Sequence, residues 1–342
     1  MKKLLLVLVK KRTLLLVIFL CVCALVIGKG QSEATAQAEK QLKVALILSG
    51  PANDQGWNAV AVQGLTEAEE KFGIKTAYSE HVGIADGEAV FTNYAFQGYD
   101  LIIGHGFQYG DPAVRVGKKF PGIKFLAIEA ASSSENVASY VIACEQAGYL
   151  MGVLAASLSK SGKIGIVGGV EQPSIIKVVE AYKLGAKSVK PDIKVYDSYI
   201  GSFTDVSLGK EAALAMADKG ADVLSHIANQ AGTGVIKAAE ERGLLATGDS
   251  WDQNVIAPDT VVCSTIYSVP ILVMNAVEKV KNGTFEGGIF NLGMDLGVVD
   301  IASFHSFDEI IPQNVKNQIA DLKEQILNGT FKVPVIEKST SN

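Results

Sequence analysis

The sequence predicts an α/β fold of two doubly wound parallel-sheet lobes joined by hinge strands. Short, mostly apolar runs recur along the chain, as expected for strands buried on both faces of a parallel sheet. Stretches with helical periodicity separate them, which means βαβ units. The alternation starts again after Glu145 with no Pro/Gly/Ser-rich linker before it, so two similar lobes follow one another without a tether.

Residues 42–48 (Leu-Lys-Val-Ala-Leu-Ile-Leu) read as the first strand, ended by Ser49-Gly50-Pro51. A helix follows from Trp57 to about Lys71, stopped by Gly73, since glycine accepts the left-handed conformation that ends helices. Further strands are predicted near 74–79, 100–103, 123–128 and 137–143, with helices near 86–97 and 111–119.

The second series opens with a helical run at 147–158 and a strand at 163–167. Helix 174–189, strand 193–199, helix 206–219, strand 222–227, helix 232–242 and strand 244–247 continue it. In the 206–219 stretch, Leu208, Ala212, Ala215 and Met216 share one helical face, and Gly220 supplies the stop. The two Asn-Gly-Thr-Phe copies, at 282–285 and 328–331, each end a helical run.

The first 36 residues differ from the rest. Lys2, Lys3, Lys10, Lys11 and Arg12 precede a charge-free run of 14 residues, Leu14 to Ile27. A basic start and a short apolar run are an export signal. The run is shorter than the roughly 20 residues that span a bilayer. Residues 1–36 are therefore expected to be a signal peptide or a membrane anchor. Ala34-Thr35-Ala36 offers a small-x-small cleavage site, and Cys21 and Cys23 follow large apolar residues, an ill-fitting setting for lipidation.

The whole chain of 342 residues carries net charge −5; removing residues 1–36 leaves 25 basic and 35 acidic residues, net −10. That excludes the basic face expected of a nucleic-acid binder. Cys144 and Cys263, the two cysteines left, sit in apolar strand-like stretches and read as buried small hydrophobes.

Ligands of open α/β sheets bind beyond the carboxyl ends of the strands. That rule selects Asn53-Asp54-Gln55-Gly56-Trp57-Asn58, Gly104–Tyr109, Gly201–Asp205, His226–Gln230 and Gly248–Gln253. These loops collect aromatics that can stack on a flat ring. They also hold Asn, Gln and Asp, which can pair with ring nitrogens, exocyclic groups or sugar hydroxyls. They hold few Lys or Arg, which argues against a phosphate-bearing ligand. Each candidate has a plainer reading. Asn53 or Asp54 can cap the following helix, Asp205 reads as an N-cap, Trp57 can be core, and His226 can be a satisfied core histidine.

No enzyme signature emerges. Gly104-x-Gly106-x-x-x-Gly110 misses the dinucleotide spacing, and no phosphate loop, Gly-x-Ser-x-Gly elbow or metal-ligand spacing exists. No catalytic residue, metal or cofactor is expected.

Six motifs in order carry a resemblance across about residues 41–336. They are Asp54-Gln55-Gly56-Trp57-Asn58, Ala147-Gly148-Tyr149-Leu150-Met151-Gly152, Gly165-Ile166-Val167-Gly168-Gly169, Gly201-Ser202-Phe203-Thr204-Asp205, Gly220-Ala221-Asp222-Val223 and Gly248-Asp249-Ser250-Trp251-Asp252-Gln253. Together they resemble the basic membrane protein family, the nucleoside-binding solute receptors of ATP-driven (ABC) importers with the type I periplasmic-binding-protein fold.

The resemblance implies a clamp that closes on a purine nucleoside. Trp57 takes the place of an aromatic that stacks on the base. Asn53, Asp54 and Asn58 lie in the loop that pairs with base or ribose. His226 falls near a second-lobe position that sandwiches the base. Asp249 matches the acid that accepts ribose hydroxyls, and Phe107 and Glu129 sit at strand ends facing the cleft. The expected lobes are 41–143 with 267–292, and 144–266 with 293–336.

The sequence departs from the family at three points. The usual Asp-Lys-Gly/Ser-Phe-Asn loop here has Gln55 and Trp57. A common Lys after the strand ending near Thr265 is replaced by Ile266 and Tyr267, and Trp251 interrupts the Asp249 run. The ligand is therefore open between a nucleoside, a free nucleobase and another flat or sugar-like compound.

The implied role is an exported solute-binding protein, a monomer and not an enzyme, in the periplasm or on the outer face of the cytoplasmic membrane. Its partner would be an ABC permease. The alternatives are a ligand sensor signalling to a membrane receptor, and a nucleoside-processing enzyme.

Overall fold

A computed structural model of the chain describes residues 41–54 and 56–340. The expectations for residues 1–36 lie outside the described residues. From Leu42 onwards the chain forms one compact unit, built on two six-stranded sheets.

The first sheet uses β1 (Lys43–Leu48), β2 (Lys75–Ser79), β3 (Leu101–His105), β4 (Lys124–Ile128) and β5 (Val137–Ile142), with β11 (Gly288–Leu292) returning from late in the chain. Its order is β11-β5-β4-β3-β1-β2, and every pairing is parallel. Successive side chains of a strand point to opposite faces, and β1 shows it. Val44, Leu46 and Leu48 enter one core cluster, while Ala45 and Ile47 enter another. Helices α1 (Trp57–Phe72) and α8 (Val269–Lys281) pack together, and their buried side chains join the first cluster. Helices α2 (Gly87–Phe96) and α3 (Gly110–Lys119) cover the other face.

The second sheet has the order β12-β10-β9-β8-β6-β7. It contains β6 (Lys163–Gly168), β7 (Lys194–Tyr199), β8 (Val223–Ile227), β9 (Leu245–Gly248), β10 (Val261–Tyr267) and β12 (Val299–Ile301). Its pairings are parallel except β12, which runs antiparallel to β10. The sequence reading expected parallel strands throughout. The chain enters β12 from β11 of the other sheet, through the short 3-10 turn Met294–Leu296 and Gly297 at φ 70°, and so does not reach β10 by the helical return over its own sheet that makes neighbours parallel.

Helices α4 (Cys144–Leu158) and α5 (Pro173–Val189) pack on one face of this sheet, and α6 (Val206–Asp218) and α7 (Gly232–Arg242) on the other. Helix α9 (Gln313–Leu327) packs against α4. The glycines of the Ala147–Gly152 motif have a packing cause. A Cβ on Gly152 would lie 2.0 Å from the Tyr182 carbonyl oxygen, and one on Gly185 would lie 2.0 Å from that of Tyr149. Helices α4 and α5 therefore meet backbone to backbone. Side chains of that shared face join the first lobe's α1/α8 cluster, so one core runs through both lobes.

The chain crosses between sheets at Ile142–Cys144, Tyr267–Val269 and Leu292–Met294. Cys144 and Cys263 are both buried free thiols. No helix among the described residues is long and apolar enough to cross a membrane.

Candidate functional site

A cavity of about 280 Å³ opens where the carboxyl ends of both sheets meet. Trp57, Ile84, Phe107 and Gln108 reach it from the first lobe, and Ile175, Phe203 and Ile227 from the second. Polar groups join them: Glu129 after β4, Gln172 before α5, Asn229 after β8, Asp249 and Ser250 after β9, and Tyr267 at the end of β10. Among the described residues no Lys or Arg lines it. Side chains on different strands converge here because parallel strands all end on the same side.

Trp57 is the first residue of α1 and is half-buried. Its indole stacks on His105 with ring centroids 4.0 Å apart and planes 19° apart. The buried His105 Nε2 donates to the Trp57 carbonyl at 2.8 Å. Burial pulls the His105 pKa down to about 4, so the ring is neutral at neutral pH, with its proton on the nitrogen that donates.

Asp54 is buried and faces the chain, not the cavity. Its carboxylate accepts the backbone N–H groups of Gly56, Asn58 and Ala59 and the side-chain amides of Asn58 and Asn229. It thus satisfies N–H groups at the start of α1, which have no partner inside the helix. Asn58 is buried beside it, and Asn53 is exposed. None of the three lines the cavity. The capping reading describes the geometry of Asp54.

His226 does not line the cavity either. On β8 it shares a side with Leu224, whose cluster is covered by α6 and α7, whereas Ile227 faces the opposite way and reaches the cavity. A Cβ on Gly232, the first residue of α7, would sit 1.9 Å from its Nδ1. His226 Nε2 donates to Gln253 Oε1 at 2.9 Å, and that oxygen also accepts the Asp249 N–H at 2.8 Å. The histidine therefore braces the Asp249 loop, and the second-lobe aromatics at the cavity are Phe203, after β7, and Tyr267, at the end of β10. Asp205 caps α6 by accepting from Ser207 and Leu208 N–H.

Asp249 is buried at the cavity wall. Thr265 Oγ1 donates to its Oδ1 at 2.9 Å and Ser250 Oγ to its Oδ2 at 3.0 Å. Burial pushes its pKa up to about 6, against the pull of those donors. The Ser250 N–H and the Tyr267 hydroxyl also act on this carboxylate.

Glu129 sits at φ 64°, outside the usual region for L residues, and accepts the Ile142 N–H. The buried Lys177 of α5 stands behind it. Its Nζ is 3.4 Å from Glu129 Oε2 and 3.8 Å from Glu145 Oε2, and donates to the Ile142 carbonyl at 2.6 Å. Burial lowers the Lys177 pKa, but the two carboxylates outweigh it and the net shift is upward. The cavity therefore meets a carboxylate whose cation is hidden from it.

Cys144 also lines the cavity, and burial pushes its thiol pKa well up, which disfavours the thiolate. Among the described residues no group of His, Cys, Asp and Glu could hold a metal ion.

Four of the eight expected site residues thus meet at the cavity: Trp57, Phe107, Glu129 and Asp249. Sequence reasoning selected the loops that hold Phe203, Asn229 and Ser250 but did not single out those side chains. It treated Tyr267 only as a departure and passed over Gln172. Strand parity on β8 was the available signal that His226 faces away from its neighbour Ile227.

Comparison with known proteins identifies the family. Residues 41–337 match the family described as ABC transporter substrate-binding protein PnrA-like. A purine-binding protein of Brucella abortus is 32% identical over 297 residues, covering 86% of this chain and 83% of that protein. The ABC transporter nucleoside-binding protein BmpA of Lactococcus lactis is 31% identical over 327 residues, covering 89% and 92%. A solute-binding protein of an Aeropyrum pernix ABC transporter superposes with a TM-score of 0.81 at 24% identity, covering 87% and 94%, and shares the fold. The chain is a member of the Bmp family, the PnrA-like substrate-binding proteins of ABC transporters.

Proposed function

We propose that this chain captures a purine nucleoside or a closely related purine compound between its lobes, outside the cytoplasmic membrane, and presents it as a monomer to an ABC permease. The observation that carries the reading is the division of the cavity wall. Trp57, Phe107 and Phe203 offer aromatic surface for a flat base. Glu129, Asp249, Ser250 and Tyr267 offer acceptors and hydroxyls for a sugar. No cation lines the space, which disfavours a phosphate. The names of the Brucella and Lactococcus relatives point to the same ligand class.

In this reading Asn53, Asp54 and Asn58 shape the loop that carries Trp57, and His226 holds the Asp249 loop. Specificity comes from polar pairing, because each buried polar group that a wrong ligand leaves unpaired costs about 1–3 kcal/mol. In this reading the ligand leaves as it entered.

A thermal-shift panel tests this. A ligand that binds only the folded protein raises its melting temperature. Inosine, adenosine, guanosine, hypoxanthine, ribose and inosine monophosphate should separate, with nucleosides shifting the transition most and the monophosphate least. A panel in which no purine compound shifts the transition would remove the proposal.

A further inference from the structure

We propose that Asn229 is a positioning residue that clasps the second lobe onto the Trp57 loop of the first, and that this clasp sets how long a bound ligand is held. The proposal rests on the nucleoside reading only for its choice of probe.

Asn229 lies just beyond β8 of the second lobe, at φ 50°, a left-handed conformation that Asn tolerates better than most residues. Both ends of its amide are used across the cleft. Its Oδ1 accepts the Trp57 N–H at 2.9 Å, and its Nδ2 donates to Asp54 Oδ2 at 2.8 Å. The chemistry fixes the orientation of the amide, since turning it over would set N–H against N–H and oxygen against carboxylate.

The first lobe is shaped to receive this side chain. A Cβ on Gly56 would fall 2.3 Å from Asn229 Oδ1. The Trp57 N–H is the first of α1 and has no acceptor within the helix. The Trp57 peptide is thus held from both sides: its N–H by the second lobe and its carbonyl by His105 of the first. The indole between them lines the cavity.

Opening the cleft breaks these two bonds selectively. The bonds from Gly56, Asn58 and Ala59 to Asp54 stay, because both partners lie in the first lobe. The bonds from Asn229 to Trp57 and Asp54 cannot stay. One of them is to a carboxylate, so their joint loss corresponds to about a ten- to hundredfold change in the opening equilibrium. The clasp forms after the ligand has entered, so it acts on release and not on entry.

Stopped-flow tryptophan fluorescence with inosine on the mature protein tests this. Asn229→Ala should speed release about tenfold or more with the association rate unchanged. Asn229→Asp should exceed it, since two carboxylates would then face each other. Gly56→Ala should act from the other side, and Asn229→Ala combined with Gly56→Ala should release no faster than the stronger single variant. Circular dichroism and melting curves confirm that each variant folds.

A release rate for Asn229→Ala within twofold of wild type would overturn the proposal. So would a loss of affinity carried by association alone. If the wild type does not bind inosine, the nucleoside reading fails by itself. The clasp is then decided by small-angle scattering, where Asn229→Asp must show a larger radius of gyration than wild type and equal radii overturn it.

Discussion

Asp249→Asn should make the protein more stable and less able to bind. Asp249 is buried, its ordinary solution pKa is about 3.9, and burial raises it to about 6 in the fold. Between those values the folded chain holds a proton that the unfolded chain has released. Stability therefore falls as pH rises through that window. The contribution of the group is fully present below about pH 4 and lost above about pH 6. Linkage over the two values gives a cost of about 3 kcal/mol at pH 7.5 and about 1 kcal/mol at pH 4.5.

Asparagine carries no charge and has nearly the same shape. It can still accept from Thr265 and pair with Ser250, whose hydroxyl is free to turn. The variant should gain about 2–3 kcal/mol over wild type at pH 7.5, most of which disappears at pH 4.5. Urea denaturation at the two pH values, without ligand, measures both numbers. An equal gain at both pH values, or a loss at both, would refute the claim that a buried charge is the cause. Affinity for inosine should fall in the same variant, since a stabilising change at a binding residue usually costs function.

Other perturbations have equally definite outcomes. Trp57→Ala removes the ring stacked on His105 and should weaken inosine binding at least about tenfold by calorimetry, while Trp57→Phe keeps most of it; wild-type affinity in the alanine variant would take Trp57 out of the site. The Tyr267 hydroxyl is buried at the cavity beside the Asp249 carboxylate. Tyr267→Phe should cost little stability, weaken inosine about tenfold and spare hypoxanthine, and equal losses for both compounds would contradict a role at the sugar. Lys177→Met leaves Glu129 and Glu145 buried without their cation and should cost about 3–5 kcal/mol in urea, partly recovered by adding Glu129→Gln. Gly152→Ala drives a methyl against the Tyr182 carbonyl and should cost about 1–3 kcal/mol as α4 and α5 part.

Much of the fold could be read in the chain because strands of a parallel sheet are continuous apolar runs. Lys43–Leu48 and Leu101–His105 needed no partner information to be recognised. Strand β12 was harder, since Val299–Ile301 has three residues and no periodicity to detect, and its antiparallel course depends on a turn. The loops of the site were legible because topology dictates where ligands bind in open sheets.

Which side chain in each loop faces the cavity was less legible. On β8, His226 looks like the chemical residue and Ile227 like filler, yet alternation turns His226 toward α7 and Ile227 toward the cleft. Asp54 shows the same limit. Its position before a helix offered the capping reading that the N–H groups of α1 follow, but the amide of Asn229 that shares the carboxylate gave no sign. The long-range partners that decide such cases, 172 residues apart for Trp57 and Asn229, leave no mark in local sequence.

The central claim, that the interlobe cavity holds an uncharged purine nucleoside, is tested most directly by isothermal titration of the purified protein with inosine, adenosine and guanosine. At least one should bind with a stoichiometry of one, and the matching nucleoside monophosphate should bind at least about a hundredfold more weakly, because no cation in the cavity lining would offset the buried phosphate charge. The absence of heat with all three nucleosides, or a monophosphate that binds as tightly as its nucleoside, would contradict it.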